Sequence, residues 1–391
     1  MHGGFQKGLA AAVMASAFSL AVGLGTTSEA AELPKATQKA LADLKLNASA
    51  LDGLDKELAV PKAWLDGAAK EKEVTVYGTW NAREFVAMTA PFKERYPFIN
   101  LHYDRSGTSA RGTRVLVALA EGRVIADVMT SIADAMVQFT EAKALADLRE
   151  LPSFGSIPSD YVADDGTWSS FKLSFRCMAY NTEKVKKEDL PQKWEDLLSN
   201  PIWRNGHLAL SNHPNAWLLS LWSANGDKWG ENFTRRLFEE VQPQRRKEGM
   251  TQSTALTVAG EFYANIPSPE WVAKRYATKG APIGYHCPTP VPISTSQVVM
   301  LDKSPHKNAA RLFINWLLSR EGQILQYTET FAVPVHKALQ SSEYLPFAET
   351  IVGKPSIVRD DSLLGDDMQE KVQEVWNGYW AAAAGSKAPP R

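Results

Sequence analysis

Val74-Thr75-Val76-Tyr77 closed by Gly78, then Phe85–Arg95, then Ile99-Asn100-Leu101-His102-Tyr103, decide the fold. The first quartet is β-branched and aromatic and stops at a glycine, which predicts a strand. Phe85–Arg95 carries apolar residues at helical spacing and ends ahead of Pro97, which predicts one helix. Ile99–Tyr103 alternates and predicts a second strand. Strand, helix and strand over about thirty residues make a βαβ unit.

The alternation continues in both directions. Ser106-Gly107-Thr108-Ser109 opens a helix toward Glu121, Ala126-Asp127-Val128-Met129 reads as a third strand, and Asp134–Ala144 as a helix. The pattern then restarts. Arg176–Asn181 and His207–Ser211 read as strands; Trp194–Leu198, Ala216–Ala224, Phe233–Val241 and Ser253–Gly260 read as helices. Ala281–His286 and Gln297–Leu301 are extended. Ser304-Pro305 reads as a helix start, with serine as cap and proline at the first helical position. Leu312, Phe313, Trp316 and Leu317 form one apolar stripe, most simply core. Upstream, Ala36–Leu46 and Ala63–Lys72 are helical. Two α/β units of about 100–150 residues, each with a mostly parallel sheet, account for this order.

Lys7, an apolar stretch from Leu9 to about Leu24, and Ser28-Glu29-Ala30 have the layout of a secretory leader cut before Ala31. The stretch is shorter than the ~20 residues a membrane-spanning helix needs. No cysteine sits near the cut, so a lipid anchor is not expected. The 43 basic and 44 acidic residues leave a formal charge of -1, which offers no bulk attraction for nucleic acid or an anionic membrane. The two cysteines, Cys177 and Cys287, either form one disulfide or pack as two small apolar thiols.

Catalytic signatures are missing. There is no G-x-S-x-G elbow, P-loop, G-x-G-x-x-G or H-E-x-x-H. The seven histidines are dispersed, with none three or four residues from another, so no helical metal site is expected. Acidic pairs such as Asp164-Asp165 and Asp360-Asp361 sit in polar stretches and read as solvated turns. The chain is therefore read as a non-enzyme, with no catalytic residues, no metal ligands and no cofactor.

Several segments, in order, resemble a known family. They are Val74–Thr79, Ala126-Asp127-Val128, Met178-Ala179-Tyr180-Asn181-Thr182, Leu190–Leu198, Ala259-Gly260-Glu261, Lys279-Gly280-Ala281-Pro282 and Ala309–Gln323. Together, over roughly Trp64–Leu339, they resemble the periplasmic solute-binding proteins of ABC importers, in the branch that includes ferric-iron-binding proteins. The resemblance implies a two-lobed periplasmic-binding-protein fold, type II-like, with hinge crossovers near Cys177–Asn181 and Pro290–Val298. The implied divisions are a signal peptide (1–30), a helical extension (31–70), lobe 1 (71–176 and 298–345), lobe 2 (177–297) and a C-terminal helical segment and tail (346–391). It also implies a periplasmic monomer that closes on a small-molecule ligand and docks an ABC permease in the inner membrane.

In such folds ligands sit at the carboxyl ends of strands. That rule selects Thr79, Trp80, Asn81, Ser106, Gly107, Thr108, Ser109 and Ser131 in lobe 1. In lobe 2 it selects Asn212, with Ser253, Tyr263 and the crossover residue Arg176. The Ser106–Ser109 helix start suits an anionic group. Trp80 either stacks on ligand or fills core. Arg105 and Arg111 flank the loop as surface charges.

The resemblance also has a gap. Ferric-binding relatives typically hold iron with two adjacent tyrosines, whereas this chain has Phe262-Tyr263 and no Tyr-Tyr pair. Some add a histidine in the first loop, which here reads Gly78-Thr79-Trp80-Asn81. The expectation is an organic, anionic solute, with ferric iron or an iron chelate as the alternative. From other classes, a secreted hydrolase or transferase, or a partner of a membrane sensor, would occupy a similar scaffold.

Overall fold

A computed structural model describes residues 32–132, 135–358 and 367–382, apart from the side chains of residues 108–110, 342 and 382. The expected leader, Asp134 and the Asp360-Asp361 pair lie outside the described residues. Ten strands form the framework: β1 (Glu73–Gly78), β2 (Asn100–Arg105), β3 (Val128–Thr130), β4 (Ser169–Asn181), β5 (Leu208–Ser211), β6 (Gln244–Arg246), β7 (Ala264–Pro269), β8 (Ile283–His286), β9 (Val291–Met300) and β10 (Ser356–Val358). Their order is β2-β1-β3-β9-β4-β7-β5-β6, with β10 beside β9 and β8 beside β4.

β1 is parallel to β2 and β3, and β5 is parallel to β6 and β7. β9 runs antiparallel to both β3 and β4. The pairing of β4 changes partway along its length. Ser169–Phe175 pairs with β9, ending at Phe175 opposite Ile293. From Arg176, opposite Pro269, it pairs with β7 and β8. One long strand thus belongs first to the β1–β3 sheet and then to the β5–β7 sheet. The registers turn the carboxyl ends of β1 and β3 toward this changeover, and those of β5 and β7 toward it from the other side. This is the mixed α/β, two-lobed arrangement expected.

Local chemistry explains most differences from the sequence reading. The single helix expected over Phe85–Arg95 is two, Ala82–Met88 and Ala90–Arg95, broken at Thr89. Pro91 has no N–H to bond the carbonyl of Ala87, so the helix cannot run through. Ser304 does not cap a helix. Its hydroxyl donates to buried Asp127 (2.7 Å) and accepts from the His306 amide (3.0 Å), and the helix starts at Lys307. That helix buries Leu312, Phe313, Trp316 and Leu317 completely, as core.

The upstream helices Lys35–Asp43, Leu54–Glu57 and Lys62–Glu71 are tied to the first lobe. Glu71 accepts from the amides of Asn308 and Ala309, and Glu57 accepts from the Arg320 side chain. The helix Asp367–Ala382 puts Trp376 into the second core, edge-on to Trp217 and Phe238. Cys177 and Cys287, left open by the sequence, form a disulfide. Among the described residues no helix is long and apolar enough to cross a membrane.

Candidate functional site

Gly78 ends β1 where three groups crowd the backbone. A Cβ there would lie 2.9 Å from Thr130 Oγ1 and about as close to the Trp80 and Tyr103 rings. Only glycine lets the chain turn that tightly into Thr79-Trp80. Trp80 is 4% exposed and its ring packs against Phe85, Tyr103 and Phe171. Its indole N–H has no hydrogen-bond partner among the described residues.

A cavity of ≈ 150 Å³ opens beside it. Thr79, Trp80 and Glu84 form its first-lobe wall, with Thr330 and Ala332; Lys172 comes from β4; Trp271 and Arg275 come from the second-lobe helix Glu270–Ala277. A second cavity of ≈ 270 Å³ is lined by Thr79, Arg105, Ser106 and Gly107. Thr79 is common to both.

Charge gathers along one face of β4, where Lys172, Ser174 and Arg176 alternate with buried Phe171, Leu173 and Phe175. Buried Glu270 meets that face, accepting from the Ser174 hydroxyl (2.9 Å) and the Phe175 amide (2.8 Å). Burial pushes its carboxyl upward, against the pull of Arg176. Burial and the positive charge of Arg176 bring the Lys172 ammonium down to about 8. Across the cavity, Arg275 donates to Glu84 (2.6 Å) and lies over the Trp271 ring. Glu84 closes a capping box with Asn81. Lobe 1 and lobe 2 thus touch through an ion pair in the cavity wall.

The residues selected from sequence fall into several groups. Thr79, Trp80, Ser106 and Gly107 line the two cavities. Asn81, Ser131, Arg176 and Ser253 lie near the interlobe ends of strands but are engaged by protein. Asn81 caps its helix. Ser131 has φ 56° and gives its carbonyl to Arg111. Ser253 shares a hydrogen bond with Ser211 (3.1 Å). Asn212 accepts from the Trp376 indole (2.9 Å). Of Thr108 and Ser109 only the backbone is described, opening the helix Thr108–Ala120.

Two expectations need correction. Tyr263 precedes β7, so it sits at the opposite end of that strand from the lobe junction, stacked on His207 with Lys184 over its ring. Arg111 is not a surface charge: it is fully buried and bonds the carbonyls of Ser106 and Ser131, joining two loops of the first lobe.

Lys172, Glu84, Trp271 and Arg275 were missed. The signal for Lys172 was present in the period-2 run Phe171–Arg176. Trp271 and Arg275 follow a strand that holds Pro267 and Pro269, a pattern that argues against a strand within a sheet.

Residues 124–349, more than half of the chain, match the family model described as bacterial extracellular solute-binding protein. The chain belongs to that family. It is 25% identical over 209 residues to iron uptake protein A1 of Synechocystis sp., an alignment covering 48% of this chain and 56% of that protein. The chain therefore matches just over half the length of this curated relative. Iron-bound HitA from Pseudomonas aeruginosa superimposes with a TM-score of 0.65 at 19% identity, over 78% of this chain and 99% of that one. Trichodesmium FutA in complex with iron and citrate does so with a TM-score of 0.65 at 17% identity, again over 78% and 99%. At such identities the likeness shows the fold alone, a two-lobed α/β binding-protein arrangement.

Proposed function

We propose that this protein captures iron as an anionic chelate between its lobes and delivers it to an ABC permease. The observation carrying the reading is the cavity wall. It presents Lys172 and Arg275 beside Trp80 and Trp271, and both lobes contribute. No tyrosine lines it. No cluster of three or more histidine, cysteine or acidic side chains that could hold a metal occurs among the described residues. Such a wall suits a ligand that brings its own negative charge, and iron entering it would arrive already coordinated.

The sequence alone placed an organic anion ahead of iron. The iron-binding relatives support the alternative better, and a hydroxycarboxylate chelate meets both lines of argument. Hinge closure is part of this reading, because only a ligand touching both lobes favours a closed form over an open one. A secreted, periplasmic location and loss of residues 1–30 belong to the same reading.

The test is a thermal unfolding and calorimetric titration of ligand-stripped protein with ferric citrate, citrate, inorganic phosphate and ferric salt in a weak chelator. Ferric citrate is expected to bind most tightly. A ligand at 100 times Kd stabilises by about 2.7 kcal/mol. A tyrosinate-coloured complex with ferric ion alone, or no response to any anion, would contradict the proposal.

A further inference from the structure

We infer that Lys172, on the strand shared by the two lobes, is the ligand-anchoring residue of the interlobe cavity and takes an anionic oxygen of the bound solute. This rests on the proposed capture of an anionic ligand and adds the residue that holds it.

Lys172 lines the cavity together with residues of both lobes. Its neighbours Ser174 and Arg176 on the same face lie near Glu270, one carboxylate oxygen of which accepts from the Ser174 hydroxyl and the Phe175 amide. The wall carboxylate, Glu84, is paired with Arg275. The Lys172 ammonium has no hydrogen bond or ion pair among the described residues; it lies 5.6 Å from the centre of the Phe171 ring. Lys172 is part-buried, so its ammonium gives up hydration in the wall without gaining a bonded partner. The adjacent aromatic packing of Trp80 and Phe171 would accept an apolar side chain as readily. A fold needing only a filled position there gains nothing from lysine. A site needing three donors aimed at an incoming anion does.

Arg275 differs in kind. It is already neutralised by Glu84, so it offers the ligand less charge than its formal value. Lys172 lies on β4 ahead of the change of partner after Phe175, in a cavity wall that Trp271 and Arg275 of the second lobe complete, so an anion bound there meets both lobes.

The experiment measures affinity and unfolding midpoint for parent protein, Lys172→Met, Lys172→Arg and the control Lys184→Met, which alters the stack at Tyr263 far from the cavity. The probes are ferric citrate, citrate and inorganic phosphate, so that chelate, carboxylate and phosphate chemistry are separated. Lys172→Met is expected to weaken binding of whichever anion the parent takes by roughly thirty-fold or more. Its unfolding midpoint is expected to equal or exceed the parent's, and Lys172→Arg should recover part of the affinity. Lys184→Met should leave affinity unchanged. If the parent binds an anion and Lys172→Met binds it equally well, the role assigned to Lys172 is wrong while the capture of an anion stands. If the methionine variant is instead less stable and the arginine variant recovers nothing, Lys172 is a structural residue. If the parent binds none of the three probes, both inferences fall.

Discussion

Burial brings Lys172 down toward neutral pH, and this gives the cavity a pH signature. Arg176 and Arg111 repel its charge while Glu270 and Glu84 attract it, and Arg275 faces it across the cavity. Its folded value, about 8, lies below the ordinary lysine value. The protonated form, which an anion requires, therefore dominates below about 8 and is lost above it. Affinity for an anionic ligand is expected to be flat through neutral pH and to weaken as pH rises past about 8, and Lys172→Met should flatten that decline. Stability has the opposite sense. The unfolded chain holds this proton more tightly than the folded one, so stability rises with pH between about 8 and the ordinary lysine value of about 10.4. Titrations at several pH values on both proteins check the two slopes.

Trp80 belongs to the same wall but is held by three other rings. Trp80→Ala should cost about 3–5 kcal/mol of stability, as a core tryptophan does, and weaken binding as well. An unchanged unfolding midpoint would show that the ring is not a packing element. Strand-end reasoning reached the cavity wall at Trp80 because β1 ends unmistakably at Gly78. It misplaced Tyr263 because Pro267 and Pro269 concealed the course of β7, and the residues beyond that strand, Trp271 and Arg275, face the cavity instead.

At the scale of elements, β4 matters most. Read from sequence it began at Arg176, so its first half and Lys172 were lost, although Phe171, Leu173 and Phe175 alternate with polar residues as plainly as any strand here. What the sequence could not supply was the change of partner after Phe175, which depends on residues more than ninety positions away. The Cys177–Cys287 bridge fastens the second half of β4 to the segment following β8, across a sequence separation of 110. Replacing both cysteines by alanine should lower stability by about 2–5 kcal/mol, since the bridge restrains a long loop of the unfolded chain. Chemical denaturation of the double variant against the parent measures it, and equal midpoints would mean that strand pairing alone holds that end of β4.

The molecule as a whole is two sheets sharing one strand, with the carboxyl ends of both strand sets turned toward the junction. Glu84 and Arg275 pair across it in the absence of ligand. The pair is partly exposed, with side-chain exposures of 18% and 37%, and contributes little on its own. Its larger effect is on the ligand, because Glu84 places a carboxylate in the wall an anion must approach. Glu84→Gln should tighten binding of an anionic probe severalfold by removing that repulsion and freeing Arg275. Calorimetry reads the change, and weaker binding would mean that the ion pair is needed to hold the lobes together.

The most direct measurement is anomalous scattering at the iron edge from crystals grown with ferric citrate. The expected result is one strong peak between the lobes, beside Trp80, Trp271 and Lys172, with chelate density reaching the lysine ammonium and no protein tyrosine on the metal. Iron bound by Tyr263 or another side chain outside the cavity, or a cavity that stays empty in saturating ferric citrate, would contradict the account.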